Sequence, residues 1–200
     1  MASIMFMIEG GKVLEMVKEH IAERQIQMKE INAICNELGV DEISSSRSDG
    51  TIFRVKFKGA VHPEFCKPTG SHGLSSPKKG TAWHKRFKAQ KGYRELSPWI
   101  ADAFQIPTQL HYKGKGCISG STCIGNPFSE CGFLYLGEDG PYAMWIPDVE
   151  SRVASMVEDG YEVDEPANSF VPSFDGCRRI EKEEWEILAL QHKLDKRKAL

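Results

Sequence analysis

The 200 residues, 40% hydrophobic and 27% charged, carry a formal net charge of -2 at pH 7. This is the profile of a soluble globular chain, long enough for one domain with a real core. The longest apolar run, Ile4 to Ile8, is far short of the roughly 20 residues that cross a bilayer, which excludes a membrane helix. That run also lacks the basic start and small-residue cleavage site of a secretory signal, so the expected setting is cytoplasmic and reduced. Cys35, Cys66, Cys117, Cys123, Cys131 and Cys177 contain no C-x-x-C pair and are too dilute for a disulfide scaffold. Most of them are expected as buried thiols.

In chain order, "SIMFMIEGG" reads as a short buried strand ending at a double glycine. Leu14, Val17, Ile21, Met28, Ile31, Cys35 and Leu38 then recur at spacings of three and four, interrupted at Arg24. That stripe predicts a helix of about seven turns closed by Gly39. A homodimer through the helix at 11–38 would use the same seam, although packing on the chain's own sheet is the simpler use of it. "SSSRSDG" reads as a turn, and "TIFRVKFKGAV" as a half-buried strand. Strict alternation would turn Phe53, Val55 and Phe57 inward and Arg54, Lys56 and Lys58 outward.

The next stretch, "CKPTGSHGLSSPKKGTAWHKRF", is broken by glycine, proline and serine, yet holds cations and aromatics. A short helix is expected from Ser97, a good N-cap, with Pro98 in its first position. "GFLYLGEDGPYAMWIP" predicts two strands around a turn. Asp148 and Gly160 bracket a helix carrying Val149, Val153, Met156 and Val157. Extended segments at "YEV" and "SFV" precede a last helix with Trp185, Leu188 and His192 on one line and Ile187, Leu190 and Leu194 beside it. The order predicts an α+β fold, a single domain over 1–200. Its antiparallel sheet is packed by the long N-terminal helix and the C-terminal helix, with a Gly/Ser/Cys-rich loop at 108–132.

The charges are unevenly placed. From Thr51 to Arg94 there are eleven Lys and Arg against one acid, Glu64; from Gly137 to Glu165 there are nine acids against Arg152. Either the two blocks neutralise each other within the fold, or the basic one is a surface for an anionic partner. The second reading assigns contact to Arg54, Lys56 and Lys58 on the strand, Lys78 and Lys79 among glycines, and Lys85, Arg86 and Lys88. Trp83, Phe87 and Tyr93 interleave with these cations, as in proteins that grip single-stranded nucleic acid. At i and i+4 on a helix, however, Trp83 and Phe87 share a face and are expected to pack inward.

Neither cysteine–histidine group has zinc spacing: His62, Cys66, His72 and His84 form one, His111, Cys117, Cys123 and Cys131 the other. No metal or cofactor is expected. "GCISGSTCIG" is the only stretch that suggests a nucleophile, with His111 its nearest base in sequence. Phosphate-loop, dinucleotide-binding, nucleophile-elbow and H-E-x-x-H motifs are absent. Glu138-Asp139 and Asp164-Glu165 read as solvated turn residues.

"MFMIEGGKVLEMVKEH" and "GPYAMWIPDVESRVASMVEDGYEVDEP" resemble segments of uncharacterised accessory proteins of tailed phages and prophages. The resemblance implies a factor that acts on host machinery by binding. The expected function is therefore a non-enzymatic protein engaging nucleic acid or an acidic protein surface through the basic segment. A protein–protein inhibitor or adaptor is the first alternative, a small enzyme on a phosphate-bearing metabolite the second.

Overall fold

A computed structural model describes residues 3–40, 42–45, 51–68, 72–105, 109–118, 121–125, 131–135, 139–164 and 173–198. The fold is α+β with antiparallel sheets, in the order β1 (Ser3–Ile8), α1 (Gly11–Leu38), β2 (Glu42–Ser45), β3 (Ile52–Lys56), α2 (Ala82–Ala89), α3 (Leu96–Ala103), β4 (Leu110–Lys113), β5 (Cys123–Gly125), β6 (Gly132–Tyr135), β7 (Tyr142–Pro147), α4 (Val149–Glu158), β8 (Glu162–Val163), β9 (Cys177–Ile180) and α5 (Lys182–Lys198). The chain forms two compact units, one from Met1–Val17 and Leu96–Leu200, the other from Lys18–Glu95. Helix α1 runs from the first into the second.

In the first unit a four-stranded sheet has the order β6-β7-β1-β9. The alternation of β1 places Ile4, Phe6 and Ile8 on one buried face, in register with Ile146, Met144 and Tyr142 of β7. Val13, Met16 and Val17 from the start of α1 are buried as well. The Phe174 ring lies edge-on to Phe6 at 5.5 Å and to Phe104 at 5.2 Å. A second sheet, β5-β4-β8, is built from the Gly/Ser/Cys-rich segment and the "YEV" strand. Helix α4 has the expected cap, the Asp148 carboxylate accepting from the Ser151 N–H at 3.1 Å. Gly160, at φ +86°, ends it with bonds from Gly160 N to Val157 O and Tyr161 N to Met156 O, a Schellman closure.

Two differences from the sequence reading are local. Helix α3 starts at Leu96, so Ser97 and Pro98 lie inside its first turn. The "SFV" segment and the middle of the "SSSRSDG" turn lie outside the described residues, and the strand that pairs with β1 is "CRRI", β9.

In the second unit α1 again closes by a Schellman turn, with Gly39 at φ +60° and Val40 N bonded to Cys35 O at 3.1 Å. The inward face of α1 is rotated from the expected stripe. Val13, His20, Gln27 and Ile34 form its deepest line, while Met28 is 46% exposed. Polar groups occupy the middle because this stretch packs under other polar and aromatic side chains: Tyr93 lies against His20, and Gln27 and Gln90 line one groove. Ile31, Cys35 and Leu38, on which a coiled-coil seam would rely, pack inside the chain on a core of Ile34, Val40, Ile52, Val55, Phe65 and Phe87.

Strand β3 departs from simple alternation through a bulge. Ser44 pairs with Arg54 and Ser45 with Ile52, so Phe53 is the extra residue. Ile52 and Val55 are consequently buried, and Phe53 is turned out, 45% exposed.

The tightest backbone approach lies in the first unit, where the N–H groups of Glu9 and Gly10 both donate to Gly176 O, at 2.9 and 2.8 Å. Gly176 has φ +73°, and a Cβ there would fall 2.2 Å from the Gly10 carbonyl carbon. At Gly39 a Cβ would meet nothing within 4 Å. Gly39→Ala should therefore cost only the left-handed penalty, about 1–2 kcal/mol, whereas Gly176→Ala must also move backbone. Urea unfolding is expected to show the larger fall in midpoint for Gly176→Ala, and equal midpoints would refute this packing.

Candidate anion-binding surface

Strand β3 is engaged along both edges. It pairs with β2 on one side, and on the other Val55 exchanges two backbone bonds with Ser75, at 2.9 and 2.7 Å. Its cations therefore project from a closed strand. Arg54 and Lys56 flank the buried Val55 on one exposed face, with Lys58 exposed just beyond the strand. The Arg54 guanidinium lies 5.6 Å from the Phe53 ring turned out by the bulge.

The stretch from Cys66 to Phe87 is folded around a cluster of rings. Phe65 meets Phe57 at 5.1 Å, His62 at 5.7 Å, Phe87 at 5.9 Å and Trp83 at 6.1 Å. Trp83 and Phe87 meet edge-on at 6.1 Å, so the rings expected to turn inward do so. Phe65 bridges to Pro77, Cys66 N donates to Ser76 O, and Lys78 N donates to Glu64 O at 2.7 Å. These bonds join the two halves of the loop, 62–66 and 75–78.

The N-terminus of α2 is already supplied with acceptors. Thr81 Oγ1 accepts from the His84 N–H at 3.2 Å, and the Glu64 carboxylate accepts from the Trp83 N–H at 3.3 Å. Glu64, the lone acid of the basic segment, thus sits where a helix end favours negative charge. Gly80, at φ +88°, gives its N–H to His84 Nδ1 at 3.4 Å. The glycine makes the turn into α2, and its amide is used within the chain. Lys78 Nζ donates to the Pro63 carbonyl at 2.7 Å while the residue remains exposed. Lys79, Lys85 and Lys88 are exposed, the last two on α2.

Arg86 differs from the other cations. Its Nε bonds Glu30 at 2.8 Å, its Nη1 bonds Glu37 at 2.6 Å, and its guanidinium lies 5.1 Å from the Trp83 ring. Hydrogen bonds to the two glutamates raise its pKa further, and the group serves the fold. Arg94 is held likewise by Glu19 at 2.6 Å and Glu23 at 3.0 Å. Burial pushes the Glu23 carboxyl up, but its hydrogen bonds to the Arg94 side chain and backbone together outweigh that and hold it below the usual range. These glutamates had a sequence signal that a count of the basic segment alone overlooks. Glu23, Glu30 and Glu37 recur every seventh residue of α1, with Glu19 one turn before.

The charge imbalance follows the two units. Residues 18–95 hold fifteen Lys and Arg against nine Asp and Glu, a net of +6. The remaining residues hold eleven against nineteen, a net of -8. The basic unit keeps its excess even though α1 supplies partners to Arg86 and Arg94.

The histidines and cysteines have other roles. His62 Nδ1 accepts from the Glu64 N–H at 3.2 Å, and His111 Nε2 lies 3.4 Å from Gln109 Oε1. Among the described residues no three His, Cys, Asp or Glu side chains converge as metal ligands. Burial pushes the Cys177 thiol up to about 11, with Asp175 and Glu9 adding to the effect, which makes it a poor nucleophile at neutral pH. Cys117 and Cys123 are joined by a disulfide with Cα atoms 5.9 Å apart. This departs from the reduced setting expected of the sequence, and the expected buried thiols are not found either, since Cys35, Cys131 and Cys177 are half-buried and Cys66 is exposed. The antiparallel pairing of β4 and β5 returns the chain and brings Cys117 and Cys123 together.

No protein-family model, curated protein or solved structure matches the chain.

Titration with a thiol reagent after denaturation should find four reactive cysteines, Cys35, Cys66, Cys131 and Cys177, and six after prior reduction. Six without reduction would remove the crosslink from the β4–β5 loop.

Proposed function

We propose that the unit formed by Lys18–Glu95 is a non-enzymatic binding module for a polyanion, with nucleic acid as the partner. One observation carries the reading. Within a compact unit of net +6, Arg86 and Arg94 are neutralised by α1, while Arg54, Lys56, Lys58, Lys79, Lys85 and Lys88 stay exposed. Lys78 lies among them with its ammonium on a backbone carbonyl, still open to solvent. Because Trp83 and Phe87 are packed against Phe65, the contact falls chiefly on phosphates, with the exposed Phe53 ring beside Arg54 on the same surface. Such binding is indifferent to sequence and sensitive to salt. In a phage-type setting the module would act in the cytoplasm on the host's nucleic acid. A second reading, protein binding by the other unit, draws on Ile187 and Leu190 of α5, which remain 66% and 60% exposed.

Fluorescence anisotropy with a mixed-sequence duplex should show affinity falling about 10³-fold between 50 and 200 mM salt if six phosphates are engaged. Lys85→Glu with Lys88→Glu, and separately Arg54→Glu with Lys56→Glu, should each weaken binding at least about tenfold. Arg86→Gln should instead lower stability, since it leaves Glu30 and Glu37 without their shared cation. Absence of binding at 50 mM salt, or affinity unchanged by salt, would refute the reading. A salt-dependent complex with an acidic protein and none with oligonucleotides would move it to a protein partner.

A further inference from the structure

The two compact units are joined by two covalent connections, Val17–Lys18 inside α1 and Glu95–Leu96 on the return. Just past the first connection and just before the second, a set of contacts within the basic unit ties the two segments together. Arg94 Nη2 holds Glu19 Oε1 at 2.6 Å and Glu23 Oε1 at 3.0 Å, and the Arg94 N–H donates to Glu23 Oε2 at 3.2 Å. The Tyr93 ring meets His20 edge-on at 5.2 Å, and the Arg24 guanidinium lies 5.2 Å from that ring. Four α1 side chains from two successive turns thus fasten two consecutive residues of the return segment.

His20 is the buried centre of this clasp, 5% exposed, and its Nδ1 has no hydrogen-bond partner. The charged and titratable groups around it are Arg24 and Glu23 from α1 and Arg94 and Tyr93 from the return segment. Both carboxylates of the clasp are committed to Arg94. A proton on the imidazole would therefore add a buried cation beside two guanidinium groups, with Glu23 already bonded to Arg94 as its nearest carboxylate. Burial first, then Arg24, hold His20 below its ordinary value of 6.5, against the opposing pull of Glu23.

We infer that His20 makes the clasp an acid-released catch: mild acid opens the contact between α1 and the segment at Tyr93–Arg94 while the rest of the unit stays folded. The sign follows from linkage. The closed form excludes the proton and the open form accepts it, so closure is favoured fully above about 6.5 and is lost progressively as the pH falls below that value. Glu23, held below the usual carboxylate range, does not titrate in this window. The inference is independent of polyanion binding, since it concerns contacts between two segments of the same unit.

Hydrogen exchange of the Arg94 amide in the full chain, normalised to its intrinsic rate at each pH, tests this directly. Protection should fall between pH 7 and 5.5, by at most about tenfold, the limit that linkage sets for an open-state pKa near 6.5, while amides of β1 and β7 hold theirs. His20→Leu and His20→Gln should each abolish that fall. NMR titration of the wild-type His20 ring supplies a readout that needs no variant, and the ring in the closed form should protonate below its ordinary range. Constant protection in the wild type, an equal fall in either variant, or a ring that titrates near 6.5 with no loss of protection would each overturn the inference.

Discussion

One continuous helix is the constraint on which both units depend. At 28 residues α1 is about 42 Å long. Among the described residues the widest sheet has four strands and the others three and two, too narrow to cover such a rod end to end. The helix is instead covered piecewise. Its first two turns give Val13, Met16 and Val17 to the core of one unit, and its last turns give Ile31, Ile34, Cys35 and Leu38 to the core of the other. Between them the inward positions are His20 and Gln27. This polar middle packs against Tyr93 and lies in one groove with Gln90.

The acidic side of α1 explains why a strongly basic segment folds onto it. Glu19 and Glu23 meet Arg94, and Glu30 and Glu37 meet Arg86. Arginine suits this role because its planar fork bridges two carboxylates at once, as both residues do here. Lys79, Lys85 and Lys88 are exposed, as is Arg54 of β3. The cations thus divide into those held by the glutamates of α1, Arg86 and Arg94, and those exposed on the surface, Arg54 among them. Counting cations along the sequence conceals this division.

Much of the fold was legible because local chemistry and tertiary packing agree. Asp148 and Gly160 bracket α4, Gly39 ends α1, and the apolar alternation of β1 survives in register against β7. Legibility failed where one residue depended on a distant one. The exposed position of Phe53 follows from a bulge set by the pairing of Ser44 and Ser45, and periodicity within β3 contains no trace of it. The face of α1 shifted because Tyr93, more than seventy positions away, covers His20. Cys117 and Cys123 came together because β4 and β5 pair, and their spacing alone matches no motif. For the candidate surface, the exposed lysines could be read directly, whereas the engagement of Arg86 could not, since its partners Glu30 and Glu37 lie about fifty residues earlier.

The loop from Cys66 to Phe87 shows how far composition alone can mislead about a grip. Glycine, proline and lysine together suggest an open cradle for phosphate, yet the backbone donors there are largely committed. Lys78 N goes to Glu64 O, Gly80 N to His84, Trp83 N to the Glu64 carboxylate, and His84 N to Thr81. Among the described residues of this loop, these amides and the rings of Trp83 and Phe87 are engaged within the chain, while Lys78, Lys79 and Lys85 are exposed. Flexible cations on a rigid, ring-packed base favour many weak, exchangeable phosphate contacts over a single tight pocket. Recognition of that kind carries affinity in proportion to the number of contacts and little discrimination among bases.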